Sequence, residues 1–138
     1  MPDINLHRSK AGRQGIEQGR AAFAFACIDE VEDTQEKYAS YVKQIPAMIK
    51  NHGLGQTLGF MFSKKKLGNE YELLLTQFGQ YLVVRKVLPA DAIDSVQFVR
   101  AVVNLEAFEY RYVTREILSL VYWLKRFAEG RLGGDRNG

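Results

Sequence analysis

Residues that usually build disulfide frameworks, metal centres and catalytic dyads are scarce in this sequence. It has one cysteine, Cys27, and two histidines, His7 and His52, which lie far apart along the chain. A lone cysteine excludes an internal disulfide framework, and its place in the apolar run 21–28 predicts a small buried hydrophobe. No His-Glu-x-x-His, Cys-x-x-Cys or Gly-x-Ser-x-Gly pattern occurs, so neither a zinc site nor a serine nucleophile is predicted. The glycines within 53–55 lack the leading strand and further glycines of a phosphate-binding loop.

Long apolar runs are also absent. The run 21–28 is followed at once by acidic residues, and it is far shorter than the roughly 18 residues needed to cross a bilayer. We therefore expect a soluble, cytoplasmic protein without a targeting segment. The 138 residues, 46% of them hydrophobic, suit one packed domain. We predict a single helical domain over 13–130, with flexible tails at 1–12 and 131–138.

Apolar spacing of three and four residues predicts five or six helices and no sheet, which makes the fold class all-α. A first helix is expected over 14–31 and a second from about Thr34, kinked or broken at Pro46. Gly53 should separate the second helix from a short third one, and a fourth, capped by Asn69, should run to Leu88. A further helix is expected over 91–104, where β-branched residues leave a strand as the alternative. The predicted core contains Phe23, Ile45, Leu58, Phe78, Val113, Ile117, Leu120 and Leu124.

The last predicted helix carries an apolar seam made of Tyr110, Val113, Ile117, Leu120, Leu124 and Phe127. A rotation of about 100° per residue places Arg111, Arg115, Tyr122 and Arg126 together on the opposite side. Guanidinium groups can neutralise phosphates and a tyrosine ring can stack on a base, so this face is typical of nucleic-acid binding. A solvated helix face, or one that pairs with an acidic partner protein, is the alternative. At the edge of the seam, Trp123 is predicted to lie in the core or in a subunit interface.

Charge placement adds two further cationic groups, although the net charge is only +3. Lys64, Lys65 and Lys66 form a cluster at a predicted helix end, where they could contact phosphate or simply stabilise the helix dipole. Arg85 lies near the end of the fourth predicted helix. We include all four residues as candidate nucleic-acid contacts.

Several segments of the chain stand in a specific order and spacing. They are Arg20-Ala21-Ala22-Phe23-Ala24, Tyr41-Val42-Lys43-Gln44-Ile45-Pro46, NHGLGQTLGF over 51–60, Tyr110-Arg111, Thr114, Glu116, and Trp123-Leu124-Lys125-Arg126-Phe127-Ala128-Glu129. Together they resemble the small, all-helical fifth subunit of the type III-B CRISPR effector, the Cmr complex. The resemblance covers most of the chain, and the hexapeptide 133–138 has no counterpart in it.

The resemblance implies a non-catalytic subunit that stacks with copies of itself along a filament of larger backbone subunits. Those subunits hold a guide RNA, and target RNA lies along a basic groove. Carried over by position, Lys50, Arg111 and Arg126 become candidates for RNA or subunit contact. No cofactor, metal or catalytic residue is implied. A protein-binding helical adaptor and a small metal-dependent nuclease are the alternative functions.

Overall fold

The computed structural model describes residues 15–133 and consists of helices joined by short connections. Within these residues there is no strand, which confirms the all-α fold class. No helix of this part of the chain is both long and apolar enough to cross a membrane. The α-helices are α1 (Ile16–Asp29), α2 (Tyr38–His52), α3 (Leu54–Lys64), α4 (Glu70–Val84), α5 (Ser95–Val103) and α6 (Ala107–Leu132), with a 3₁₀ helix at Ala90–Ile93 before α5.

The hydrophobic core forms where α6 packs against α1 and α2, and where α4 packs against α3 and α5. All eight residues predicted for the core are buried. The seam of α6 is confirmed as well, since its four central members are buried and its two outer members are partly buried. Cys27 is fully buried, as predicted, and burial raises the pKa of its thiol well above the usual value.

The second helix differs from its prediction at both Thr34 and Pro46. The helix begins at Tyr38, not near Thr34, because residues 32–37 form turns in which Gln35 accepts a hydrogen bond from the Glu32 amide at 2.8 Å. Pro46 lies inside α2 without ending it, so the predicted break is wrong. The predicted stop at Gly53 is confirmed: it has φ 86° and ψ 162°, an extended conformation with positive φ that only glycine adopts readily.

Helix α4 begins as predicted, because the Asn69 side chain accepts a hydrogen bond from the Glu72 amide at 3.0 Å. It ends at Val84, four residues before the predicted Leu88. The Lys86 amide donates to the Val83 carbonyl, and the Val87 amide donates to the Leu82 carbonyl, as in a Schellman motif. Lys86 takes the positive φ of 61° that this motif requires and that glycine usually supplies.

The segment predicted as one helix over 91–104 is divided in two. Its first part is the 3₁₀ helix, and Asp94 then caps α5 by accepting a hydrogen bond from the Gln97 amide at 3.1 Å. The strand alternative is wrong. We expected Ile93, Val96, Val99 and Val103 to form the apolar stripe of this segment. The buried residues of α5 instead include Phe98 and Val102, and Val103 is 58% exposed.

The last helix continues through Leu132, two residues beyond the predicted domain boundary at 130. Gly133 ends it in the left-handed conformation, with φ 77° and ψ −1°. The rest of the predicted tail, 134–138, and the whole of the predicted tail 1–12 lie outside the described residues, as does His7.

Candidate nucleic-acid interface

The outward side of α6 carries the four residues grouped by helix geometry, which we call the basic stripe: Arg111, Arg115, Tyr122 and Arg126. All four lie at the surface in the structure, and the Tyr122 ring is 45% exposed. The rise of a helix spreads Arg111 and Arg126 over about 22 Å. Neither of these two arginines forms an ion pair with any residue of 15–133. The stripe therefore presents guanidinium groups whose charge is not neutralised by this part of the chain.

Lys50, on α2, lies beside the basic stripe. Its Nζ is 5.7 Å from the centroid of the Tyr122 ring, within the range of a cation–π interaction. Arg115 makes a similar contact with a neighbour on its own helix, 5.9 Å from the centroid of the Tyr112 ring. The structure thus brings together Lys50, a candidate from the resemblance, and Tyr122, a candidate from helix geometry.

The lysine cluster lies away from the basic stripe, at the connection between α3 and α4. Lys64 ends α3 with its Nζ 5.8 Å from the Phe60 ring centroid. Lys65 follows, 5.0 Å from the Phe62 ring centroid and 3.7 Å from a Glu72 carboxylate oxygen. Lys66 is exposed. The cluster is therefore a separate cationic patch with aromatic rings beside it.

Arg85 forms an ion pair with a buried residue. Its Nε donates a hydrogen bond to Glu116 Oε1 at 3.3 Å, and its side chain is only 19% exposed. Among the candidate residues, Arg85 is the one whose acidic partner is buried inside the fold. The structure does not bring it into the basic stripe.

A buried ion network was not identified from the sequence. It consists of Arg20 on α1, Tyr81 and Arg85 at the end of α4, and Glu116 on α6. Arg20 Nε donates to the Tyr81 hydroxyl at 2.8 Å, and that hydroxyl donates to Glu116 Oε1 at 3.0 Å. Arg20 also reaches both carboxylate oxygens of Glu116 at 3.3 Å. Each of the three helices thus contributes to one hydrogen-bonded group.

Burial and neighbouring groups act on the pKa values of this network, and for Arg20 they act in opposite directions. Burial raises the pKa of Tyr81 to about 12. Burial opposes the charge of Arg20, but its hydrogen bond to Tyr81 and the attraction of Glu116 together raise the pKa of Arg20 above its usual value. Arg20 therefore stays protonated, and Tyr81 stays neutral across the physiological range. An arginine among small and apolar residues in α1 was the one available signal in the sequence.

A groove between α1 and α6 shares two residues with the basic stripe, and we call it the α1–α6 groove. It has a volume of about 450 Å³ and is lined by Glu17, Ser119, Tyr122, Trp123 and Arg126. Trp123 Nε1 donates a hydrogen bond to Glu17 Oε1 at 2.6 Å. That bond lowers the pKa of Glu17. Trp123, which was predicted in the core or an interface, is partly buried and lines this groove.

Side chains that could ligate a metal ion are dispersed in the described part of the chain. Within residues 15–133, no three side chains of His, Cys, Asp or Glu lie close enough together to hold a metal ion. His52 is exposed at the end of α2. The basic stripe, by contrast, concentrates positive charge without ion-pair partners among the described residues on one helix face.

Comparison with known proteins identifies the family. The model of the family described as CRISPR-associated protein (Cas_Cmr5) matches residues 16–131. The chain belongs to this family. A curated relative from Thermus thermophilus, named CRISPR system Cmr subunit Cmr5, is 28% identical over 93 residues, which are 67% of this chain and 73% of the relative. The resemblance stated from the sequence is thereby confirmed.

The fold also matches a solved structure. An X-ray crystal structure of a CRISPR-associated Cmr5 family protein, also from Thermus thermophilus, superposes with a TM-score of 0.66 and 23% identity. The match covers 84% of this chain and 96% of that one. At this level of identity the match supports the helical fold alone.

Proposed function

We propose that the chain is a non-catalytic structural subunit of a type III-B CRISPR interference complex and helps bind target RNA through the basic stripe. The observation that carries this proposal is the exposed row of three arginines on α6, none of which forms an ion pair with a described residue. Membership of the Cas_Cmr5 family supports the assembly, since a relative is named as a subunit of the Cmr system. The other partners would be larger backbone subunits, copies of this chain, and the guide and target RNA.

Phosphate contact explains how such a stripe would act. Guanidinium groups bind phosphate oxygens whatever the base, so affinity should depend little on the sequence of the RNA. Base pairing with the guide would carry the sequence information. Lys50, which lies beside Tyr122, would extend the same path, and Lys64, Lys65 and Lys66 would form a second contact. Arg85 is engaged with Glu116, so its part would be to hold the fold.

The test replaces Arg111, Arg115 and Arg126 by glutamate in the assembled complex. Target RNA capture should weaken, and the slope of log affinity against log salt should fall by about 0.7 for each single-strand phosphate that the protein no longer binds. The matched control carries Lys43→Glu, Lys86→Glu and Arg100→Glu, which change the same charge at exposed positions off the stripe.

Folding should survive both sets of changes, because exposed substitutions usually alter stability by about 0.5 kcal/mol or less. The control variant should capture RNA with an unchanged salt slope. If the stripe variant also captures RNA normally but no longer assembles with the larger subunits, the stripe is a protein interface and the adaptor alternative is correct. If both variants lose capture equally, net charge and not the stripe is responsible.

A further inference from the structure

Glu17 is held in a fixed position at the edge of the α1–α6 groove. Trp123 Nε1 donates to its Oε1 at 2.6 Å, and an Arg20 guanidinium nitrogen donates to the same oxygen at 3.1 Å. Within residues 15–133, no donor hydrogen-bonds the second oxygen, Oε2. The Glu17 side chain is 65% exposed, yet two donors fix its orientation. Its second oxygen remains available as an acceptor.

The other groups of the groove are aromatic, cationic and hydroxyl. Tyr122 and Trp123 supply rings, Arg126 supplies a guanidinium group, and Ser119 supplies a hydroxyl. The volume of about 450 Å³ is within the range of about 300–1,000 Å³ typical of small-molecule sites. Rings beside a cation favour a flat, unsaturated ligand, because such a ligand can stack on both kinds of group.

The opposite charges of Glu17 and Arg126 limit which chemical groups can enter the groove. The Glu17 carboxylate repels a phosphate, and Arg126 repels a cationic side chain of a partner protein. A neutral ring with an N–H donor suits both groups, since it can donate to the carboxylate and stack on the guanidinium. Phosphates would then lie along the basic stripe, where Arg111 and Arg115 have no acidic partner among the described residues.

We propose that the α1–α6 groove binds one unpaired nucleobase of an RNA strand, with a base amino group donating to Glu17 Oε2. The inference rests on the proposed RNA binding of the basic stripe and adds base recognition to it. Adenine, cytosine and guanine carry an exocyclic amino group. Uracil has a carbonyl oxygen where cytosine has its amino group, and this oxygen would face the carboxylate unfavourably, which leaves its N3–H as its one donor on that edge.

The buried ion network positions the carboxylate for this contact. Arg20 binds Glu116 and Tyr81 with two of its nitrogens and Glu17 with the third. The location of Glu17 is therefore tied to α4 and α6 as well as to its own helix. Arg20 acts here as a positioning residue, because it touches Glu17 and not the ligand.

Trp123 provides the readout, because it is the only tryptophan in the chain and lines the groove. The free full-length chain is titrated with oligocytidylate and with oligouridylate of equal length while tryptophan fluorescence is recorded. The two pyrimidines have rings of the same size, so the comparison sets the amino group and N3 acceptor of cytosine against the carbonyl oxygen and N3–H of uracil. A hydrogen bond to a charged acceptor predicts that oligocytidylate quenches the fluorescence at a concentration about tenfold lower.

Glu17→Gln is the decisive variant, since a glutamine side chain both donates and accepts. It should abolish the preference for cytidine and strengthen the response to uridine, whose carbonyl oxygen the new amide can reach. Glu36→Gln, at an exposed position away from the groove, is the matched control and should behave like the parent chain. Thermal unfolding monitored by circular dichroism confirms that each variant is folded.

The outcomes of these experiments separate this inference from the proposed function. If fluorescence anisotropy of labelled oligonucleotides shows salt-sensitive binding while Trp123 fluorescence stays constant, the groove proposal is overturned and the basic stripe stands. The groove proposal also fails if cytidylate and uridylate quench equally, or if Glu17→Gln leaves the preference unchanged. If the assembled complex captures RNA independently of the stripe and no oligonucleotide changes the fluorescence, both proposals fall.

Discussion

Replacing Glu116 by glutamine tests whether the buried ion network holds the three helices together. The change keeps the shape of the side chain and removes its charge. Glu116 accepts hydrogen bonds from Arg20, Tyr81 and Arg85, at distances between 3.0 and 3.3 Å. Arg20 is only 8% exposed, so it would be left as a buried cation without its main partner.

The magnitude follows from what remains around Arg20. Breaking a buried ion pair from one side typically costs about 3 to 5 kcal/mol. Glu17 still lies 3.1 Å away, but it is 65% exposed, and an exposed pair contributes about 1 kcal/mol at most. The expected loss is therefore near the lower end, about 3 kcal/mol of the free energy of unfolding.

Urea unfolding followed by far-ultraviolet circular dichroism measures this loss, provided that the slope of the free energy of unfolding against urea concentration is the same in the compared variants. Glu129→Gln, at an exposed position on the same helix, should shift the free energy by about 0.5 kcal/mol or less. The double variant Arg20→Met, Glu116→Leu should be less damaging than Glu116→Gln alone, because it leaves no buried cation. A loss below about 1 kcal/mol for Glu116→Gln would refute the reasoning and would mean that Arg20 reaches water or relies on Glu17.

Two further predictions concern the helix packing and the response to alkali. A methyl group on Gly79 would overlap the carbonyl oxygen of Ala92, so Gly79→Ala should lower the free energy of unfolding in urea by about 1 to 3 kcal/mol. Gly59, on α3, faces open space, so Gly59→Ala should raise that free energy by up to about 1 kcal/mol. Equal effects of the two substitutions would contradict the close packing at Gly79. Burial raises the pKa of Tyr81 to about 12 from its usual value of 10.0, so the unfolded chain loses this proton first and stability should fall as the pH rises from about 10 to about 12. Urea midpoints across that interval measure the fall, and Tyr81→Phe should reduce it; an unchanged fall in this variant would assign the effect to other tyrosines.

The helices were predictable where periodicity and capping agree. The seam of α6 keeps its three- and four-residue spacing over many turns, so single departures from the pattern do not obscure the helix. Asn69 caps α4 through its own side chain. The errors occurred where tertiary contacts override a local rule. Lys86 adopts a positive φ that no local pattern predicts, and Pro46 is tolerated inside a helix that packs on α6.

The interface was predictable only for residues whose exposure follows from one helix. Arg111, Arg115, Tyr122 and Arg126 share a face of α6, so a rotation per residue was enough to group them. Lys50 is on another helix, and its proximity to Tyr122 depends on how α2 packs. The resemblance supplied that residue, whereas helix geometry alone did not.

The groove and the buried ion network could not be predicted because their partners are distant in sequence. Arg20 and Glu116 are 96 residues apart, and Glu17 and Trp123 are 106 apart. In a single helix, Glu17 and Arg20 look like an ordinary surface pair with a spacing of three. Their packing against α6 gives each a second partner, and this turns an exposed carboxylate into an oriented acceptor.

Arg20 belongs to both hydrogen-bonded groups, so a substitution that loosens the network should also release Glu17. Reduced stability and a weaker base preference would therefore occur together in Arg20 variants, whereas Glu17→Gln should change the preference alone.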